Sequence, residues 1–212
     1  GGQVANEVIP VVGAETGAVA NNGAASPTWS VIRVGDGGMV GSPPYEMLET
    51  GVLTFDISGI PQGAVIESAL LRMYQAKVVG ELPFEADGYV HVGVQHIRFE
   101  GFWWDAVVNT TPIGATGTES APYILSNNPA IGWKNVEIAP ALRYELATCQ
   151  EQLQLRVMWL PEMIGDGTQQ SNQVHFNSDD AKDNNPALTV SYRLGGTPEK
   201  ETDAPVGEGG AN

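Results

Sequence analysis

The residues whose types could do chemistry are few and poorly spaced for it. The three histidines, His91, His96 and His175, lie in strand-like segments without the spacing of metal ligands, and they read as surface or partly packed strand residues. Cys149 closes the helix-like "RYELATCQ" with no histidine near it in sequence, so a packed thiol is expected rather than a nucleophile. The stretch "NSDDAKDNNP" gathers Asp179, Asp180 and Asp183 with Asn177, Asn184 and Asn185. Calcium takes six to eight oxygen ligands from such loops, but no EF-hand pattern is present. The loop reads as solvated, with calcium the one cofactor it suggests and no metal assigned.

Catalytic motifs are missing from the chain. There is no nucleophile elbow, phosphate loop, zinc-protease helix or paired CxxC, and "GDGGMVG" (35–41) lacks the glycine spacing and following helix of a dinucleotide site, so it reads as a turn. Two carboxylates for glycoside hydrolysis need only converge in space, yet nothing in the sequence pairs them. The expectation is a protein that is not an enzyme. Aromatic residues are the other lead. Phe102, Trp103 and Trp104 are consecutive and cannot all face a core. With Tyr123 or Trp133 they can form a platform for sugar rings, or they serve core packing or a protein contact.

The elements that position these residues follow from composition and pattern. The 212 residues suffice for one well-cored domain, and 26 glycines and 14 prolines suit short strands joined by many turns. A net charge of −15 without a basic cluster disfavours nucleic acid and anionic membranes as partners. The single cysteine excludes an internal disulfide. No apolar run reaches membrane-spanning length, so no membrane insertion is expected, and "GGQVANEVIP" lacks the basic-then-apolar pattern of a signal peptide.

Eight segments read as strands: 28–34, 51–57, 66–75, 89–97, 133–139, 152–160, 173–178 and 187–193. Several alternate, with Val90, Val92 and Val94 against His91, Gly93 and Gln95, and Leu153, Leu155, Val157 and Trp159 against Gln152, Gln154 and Arg156. One buried and one wet face per strand implies antiparallel sheets packed face to face. A short helix fits "PALRYELAT", with Pro140 in its first turn and Leu142 and Leu146 on one face. The fold expected is all-β: a two-sheet antiparallel jelly roll of about eight strands, Leu71, Val92, Leu155, Val157 and Val190 lying between the sheets. It occupies residues 28–194, between an N-terminal arm (1–27) and an acidic Gly/Pro-rich C-terminal tail (195–212).

The stretch "FDISGIPQGAVIESALLRMY" adds a resemblance. Phe55, Asp56, Ile57, Ser58, Ile60, Pro61, Gly63 and Ala64, then Ile66, Ser68, Ala69, Leu71, Arg72 and Tyr74, match the pattern of a strand ending Phe-Asp-Leu/Ile, a Ser-x-Ile/Leu-Pro-x-Gly-Ala turn and an Ile/Val-x-Ser-Ala-x-Leu-Arg-x-Tyr strand. The block resembles the DNRLRE-type β-sandwich domain, similar to carbohydrate-binding modules of the alginate-binding kind and to cell-surface repeats. The aromatic loop "FWWDAVVNTTPIG", the strand "GWKNVEIAPAL" and the closing "VHFNSDDAKDNNPALTVSY" extend it over roughly residues 29–192. The resemblance implies a non-catalytic module, and carries no individual binding residue across. Read physically, Asp56 and Ser58 hydrogen-bond local amides, Pro61 and Gly63 set the turn, and Arg72 faces away from Leu71 and Met73 to meet a carboxylate.

Two functions are consistent with these readings. In the first, the preferred reading, the chain is a non-catalytic structural subunit of a virion coat, decoration layer, filament or surface layer. Val8, Ile9, Val11 and Val12 of "EVIPVVG" then form an assembly arm that docks on copies of itself or on other subunits. In the second it is a carbohydrate-binding module, free or part of a secreted polysaccharide-degrading enzyme. Either places it on a virion, outside the cell or at the cell surface.

Overall fold

The computed structural model describes residues 3–21, 25–26, 30–42, 44–80, 84, 91–99, 111–112, 122–160, 167–179 and 181–194. In chain order the strands are β1 (Val4–Pro10), β2 (Gly17–Ala20), β3 (Ala25–Ser26), β4 (Val31–Val40), β5 (Tyr45–Asp56), β6 (Val65–Val79), β7 (His91–Arg98), β8 (Thr111–Pro112), β9 (Tyr123–Ser126), β10 (Gly132–Glu137), β11 (Gln152–Leu160), β12 (Asn172–Asn177) and β13 (Ala187–Arg193). A 3-10 turn (Gly13–Glu15) and one α-helix, α1 (Ala139–Ala147), join them. Among the described residues no helix is long and apolar enough to cross a membrane.

All strand pairings among these elements are antiparallel, and the protein is all-β and sandwich-like. The expected eight strands are present. Five more join them, and the thirteen described strands form one continuous ladder rather than two separate sheets, its main path running β1-β13-β6-β12-β4-β5-β11-β7-β8. The cause lies in two long strands that change partner midway. β6 pairs with β13 over residues 65–72 and with β12 over 75–79, while β5 pairs with β4 over 45–49 and with β11 over 51–56. Strand twist lets so long a ladder fold back on itself. Leu71, Leu188 and Val190 of one half thereby share a core with Leu53, Phe55, Val92, Leu155 and Val157 of the other, all fully buried.

The segment 1–27 is not a separate arm over its described part. β1 pairs with β13 from Val4↔Arg193 to Pro10↔Ala187, β2 pairs with β5, and the Val12 N–H donates to the Thr54 carbonyl at 2.8 Å. Ile9 (5% exposed) and Val11 (9%) belong to the core. Ile9 and Val11 of "EVIPVVG" thus complete the chain's own sandwich, while Val8 stays exposed. Pro10 is tolerated because it ends β1, a strand paired on one side only among the described elements. The C-terminal tail, 195–212, lies outside the described residues.

Two local expectations are also corrected. "GDGGMVG" is mostly strand, not turn: β4 runs through it with a register shift between Asp36 and Met39, where Gly38 takes φ +77° and its N–H donates to Asp36 Oδ1 at 2.6 Å. A side chain at Gly38 would also meet the Gln169 carbonyl, so close approach as well as φ fixes glycine there. The supposedly wet face of β7 and β11 is largely covered, with Gln95, Ile97, Gln154 and Met158 buried. Its polar groups pair locally: Arg156 Nη2 donates to Gln95 Oε1 at 2.6 Å, and the Phe99 N–H to Gln154 Oε1 at 3.1 Å.

Between β5 and β6 the turn forms as its residues dictate. The Ser58 N–H and hydroxyl both donate to Asp56 Oδ1 (3.0 and 2.6 Å), the Ala64 N–H donates to the Pro61 carbonyl at 3.0 Å, and Gly63 takes φ +79°.

Candidate functional site

The outer face of β6 and β10 carries the exposed aromatic group. Register pairs Trp133 with Tyr74 and Asn135 with Arg72, while the alternate residues Leu71 and Met73 point into the core. The Tyr74 and Trp133 rings meet edge to face, centroids 5.5 Å apart at 81°, and the Arg72 guanidinium lies 4.5 Å from the Trp133 ring centroid. Arg72 was expected to face outward and does, but what it covers is this ring. Trp133 keeps 38% of its surface exposed, and the group stands on a hydrogen-bonded sheet. Aromatic and guanidinium faces held in this way can stack against the C–H face of a pyranose ring and offer N–H donors at its edge. Tyr123 does not join them. It packs against the core, burial pushes its hydroxyl up, and the hydroxyl bonds to the main chain of Ala141. Phe102, Trp103 and Trp104 lie outside the described residues.

A second polar group lies across β6, β12, β4 and β5. Glu49 is buried, accepts a hydrogen bond from Gln173 Nε2, and lies 3.5 Å from Arg33 Nη1. Burial pushes its carboxyl above the usual range despite Arg33 and Gln173. His175 Nε2 lies 3.0 Å from Gln173 Oε1; burial, reinforced by the Arg33 and Lys77 charges, lowers its pKa to about 4.

A third group ties α1 to β7. Glu145 is buried and receives His96 Nε2 at 2.5 Å and Arg98 Nη2 at 2.5 Å, and Arg98 Nη2 also donates to Thr148 Oγ1 at 2.7 Å. Burial alone would raise the Glu145 carboxyl, but the His96 and Arg98 hydrogen bonds outweigh it and hold the group below the usual range. Neither Glu145 nor Glu49 was singled out in the sequence. A signal existed for Glu145, since it stands three and four residues after Leu142 and Ala141 on the buried face of α1. Glu49 and Gln173 are 124 residues apart, and no spacing rule connects them.

The remaining candidates separate. His91 and His96 share β7, and His175 is on β12. In the acidic loop, Asn177 Nδ2 donates to the Asp183 carbonyl and Asn185 Nδ2 to the Asp179 carbonyl, both at 2.8 Å, so these side chains brace the loop's own main chain. Asp180 lies outside the described residues. Among the described residues no three His, Cys, Asp or Glu side chains are grouped to hold a metal. Cys149 is exposed, not packed. It ends α1 with φ 55°, its N–H donating to the Leu146 carbonyl and that of Gln150 to the Glu145 carbonyl, which turns its side chain away from the core.

Neither the family models nor the curated proteins contain a match to this chain.

Proposed function

We propose that the chain is a non-catalytic β-sandwich module that binds carbohydrate on the outer face of β6 and β10. The observation that carries this reading is the Tyr74–Trp133–Arg72 group: a half-exposed indole, braced by a second ring and a guanidinium, on a rigid sheet. Large apolar rings that stay at the surface at the cost of hydration are typical of contact sites. Asn135, beside Arg72 in register and exposed, adds a hydrogen-bonding amide. The resemblance of residues 55–74 to DNRLRE-type domains supports a carbohydrate-binding module in general and assigns no individual binding residue. Affinity electrophoresis and calorimetry against a panel of neutral and acidic polysaccharides test the proposal. Retardation by at least one polysaccharide, lost in Trp133→Ala and Tyr74→Ala, is expected; no binding across the panel, or binding indifferent to both substitutions, overturns it.

The structural-subunit reading keeps one observation in its favour. β1 pairs only with β13 among the described strands, and Val4 (50% exposed) and Val8 (66%) stand outward on it. An edge strand of this kind can accept a strand from a neighbouring copy. In that form the contact runs along β1 in place and does not use Ile9 or Val11. Light scattering over a concentration series, repeated for Val8→Lys, separates the readings: assembly abolished by Val8→Lys and untouched by Trp133→Ala supports the subunit.

A further inference from the structure

Three residues beyond Tyr74 on β6, past a register shift against β12, a row of basic side chains crosses three neighbouring strands. Register sets Lys77 of β6 opposite His175 of β12, and His175 opposite Arg33 of β4. Val174, Phe176, Ile32 and Val34, the alternate residues of β12 and β4, are fully buried, so the row faces outward. Lys77 is exposed; His175 and Arg33 are half-buried. The chain has 25 acidic residues against 10 Lys and Arg, so two of those cations beside a histidine in one cross-strand row is an unusual placement.

The hydrogen bonds around the row fix its chemistry. Gln173 turns its amide nitrogen to Glu49 and its oxygen to His175 Nε2, so His175 donates from Nε2 and keeps Nδ1 for a second proton. Among the described residues, the charged groups facing His175 are Lys77 from β6 and Arg33 from β4, with Glu49 of β5 set behind Arg33 and buried. Among the described residues the carboxylate nearest the row is Glu49, and it stands on the side of Arg33, two strands from His175.

We propose that Lys77, His175 and Arg33 form an oxyanion-binding site, taking a sulfate or a carboxylate over the row. An oxyanion there offsets the Lys77 and Arg33 charges that, after burial, keep His175 neutral, so the imidazole takes up a proton as the anion binds, and binding tightens as pH falls through the anion-bound midpoint toward the free value of about 4. The site lies on β4, β6 and β12 and does not depend on the carbohydrate reading of the β6–β10 face.

The test is His175 titration by long-range proton–nitrogen spectra of the full chain, assigned with His175→Gln, in chloride, sulfate and acetate at matched ionic strength. Sulfate or acetate is expected to raise the His175 midpoint above its value in chloride by about one pH unit or more. Lys77→Gln, an exposed substitution, should raise the midpoint in chloride and shrink the increment caused by the anion. A response to sulfate alone assigns the site to sulfate, and a response to acetate alone to carboxylates. The same midpoint in all three salts, or an increment unchanged in Lys77→Gln, overturns the proposal.

Discussion

His96 Nε2 lies 2.5 Å from Glu145 Oε1, and the two side chains are 3% and 1% exposed. The pair joins β7 to α1 at an end of the core, with Arg98 reaching the second carboxylate oxygen from the solvent side. A buried carboxylate with two donors aimed at it is a point of high leverage, because an amide in its place removes the charge and sets an NH2 group against one of the donors. Glu145→Gln is expected to destabilise the protein by about 3 kcal/mol, read as a lowered urea midpoint with unchanged slope. The folded-state pKa is depressed, so the contribution is complete above the unfolded value and is lost as pH falls through the folded value. The gap between wild type and variant should therefore close in acid, below about pH 4.

Glu49 should behave in the opposite sense. Its folded-state pKa is raised, chiefly by burial, so folding takes up a proton between the unfolded and folded values, and stability falls as pH rises through that window. Glu49→Gln removes the buried charge and keeps an acceptor for Gln173. Its stability at pH 7 is expected to stay within about 1 kcal/mol of wild type, and its profile should lack this decline above about pH 4.5. A loss at pH 7 as large as that of Glu145→Gln would contradict the account.

His175 supplies an acid limb of its own. Its pKa falls from 6.5 in the unfolded chain to about 4 in the folded protein, so the unfolded state binds the proton more readily throughout that interval. Stability should rise with pH across the interval and level off above it. The amplitude is on the order of 2–3 kcal/mol, since each unit is worth about 1.4 kcal/mol and the ring is only partly buried. Denaturation of His175→Gln at pH 4.5 and pH 7 checks this: the two values should lie closer together than in wild type.

What the sequence shows and what it hides divide along local and non-local lines. β11 and β13 coincide with the segments 152–160 and 187–193, because alternation there is strict and turn residues bound both runs. The Asp56–Ser58 turn was legible for the same reason, every partner lying within a few residues. β1 was missed as part of the sandwich. Pro10 and the surrounding small residues weaken its pattern, and only the ladder to β13, some 180 residues away, shows that Ile9 belongs in the core. Of the aromatic lead, Trp133 was recognisable, but Tyr74 and Arg72 were read as parts of a scaffold strand. Their role as its neighbours depends on the register of β10 against β6. His175 was named, but its grouping with Gln173 and Glu49 was hidden by the same dependence on long-range register.

Cys149 gives a test of helix termination. With φ 55° it holds the left-handed position after α1 that glycine normally fills, and its side chain is exposed. Cys149→Gly should stabilise the protein by about 0.5–1 kcal/mol, since relief of the strained backbone exceeds the added entropy of the unfolded chain. Cys149→Val, β-branched, should do the reverse, and thermal unfolding of the two variants would rank them on either side of wild type.

The last prediction separates binding from stability on the β6–β10 face. Trp133 is braced by Tyr74 and Arg72 but is 38% exposed, and its ring contacts among the described residues include one aromatic pair and one partly hydrated cation–π contact. Together these are worth about 1–2 kcal/mol, and Trp133→Ala should cost stability by no more than that. Leu71→Ala, on the opposite face of the same strand and fully buried, should cost about 3–4 kcal/mol. For carbohydrate the order reverses. Loss of the indole removes the stacking surface and should weaken binding at least tenfold, about 1.4 kcal/mol, whereas Leu71→Ala, assayed where it remains folded, should leave affinity within about twofold. Arg72→Met keeps the apolar stem over the ring and removes the N–H donors, so an intermediate loss is expected if the guanidinium contacts the sugar edge. Calorimetry of the three variants on the polysaccharide that wild type retains decides the matter. Equal affinity for Trp133→Ala and wild type would place the binding surface elsewhere on the molecule.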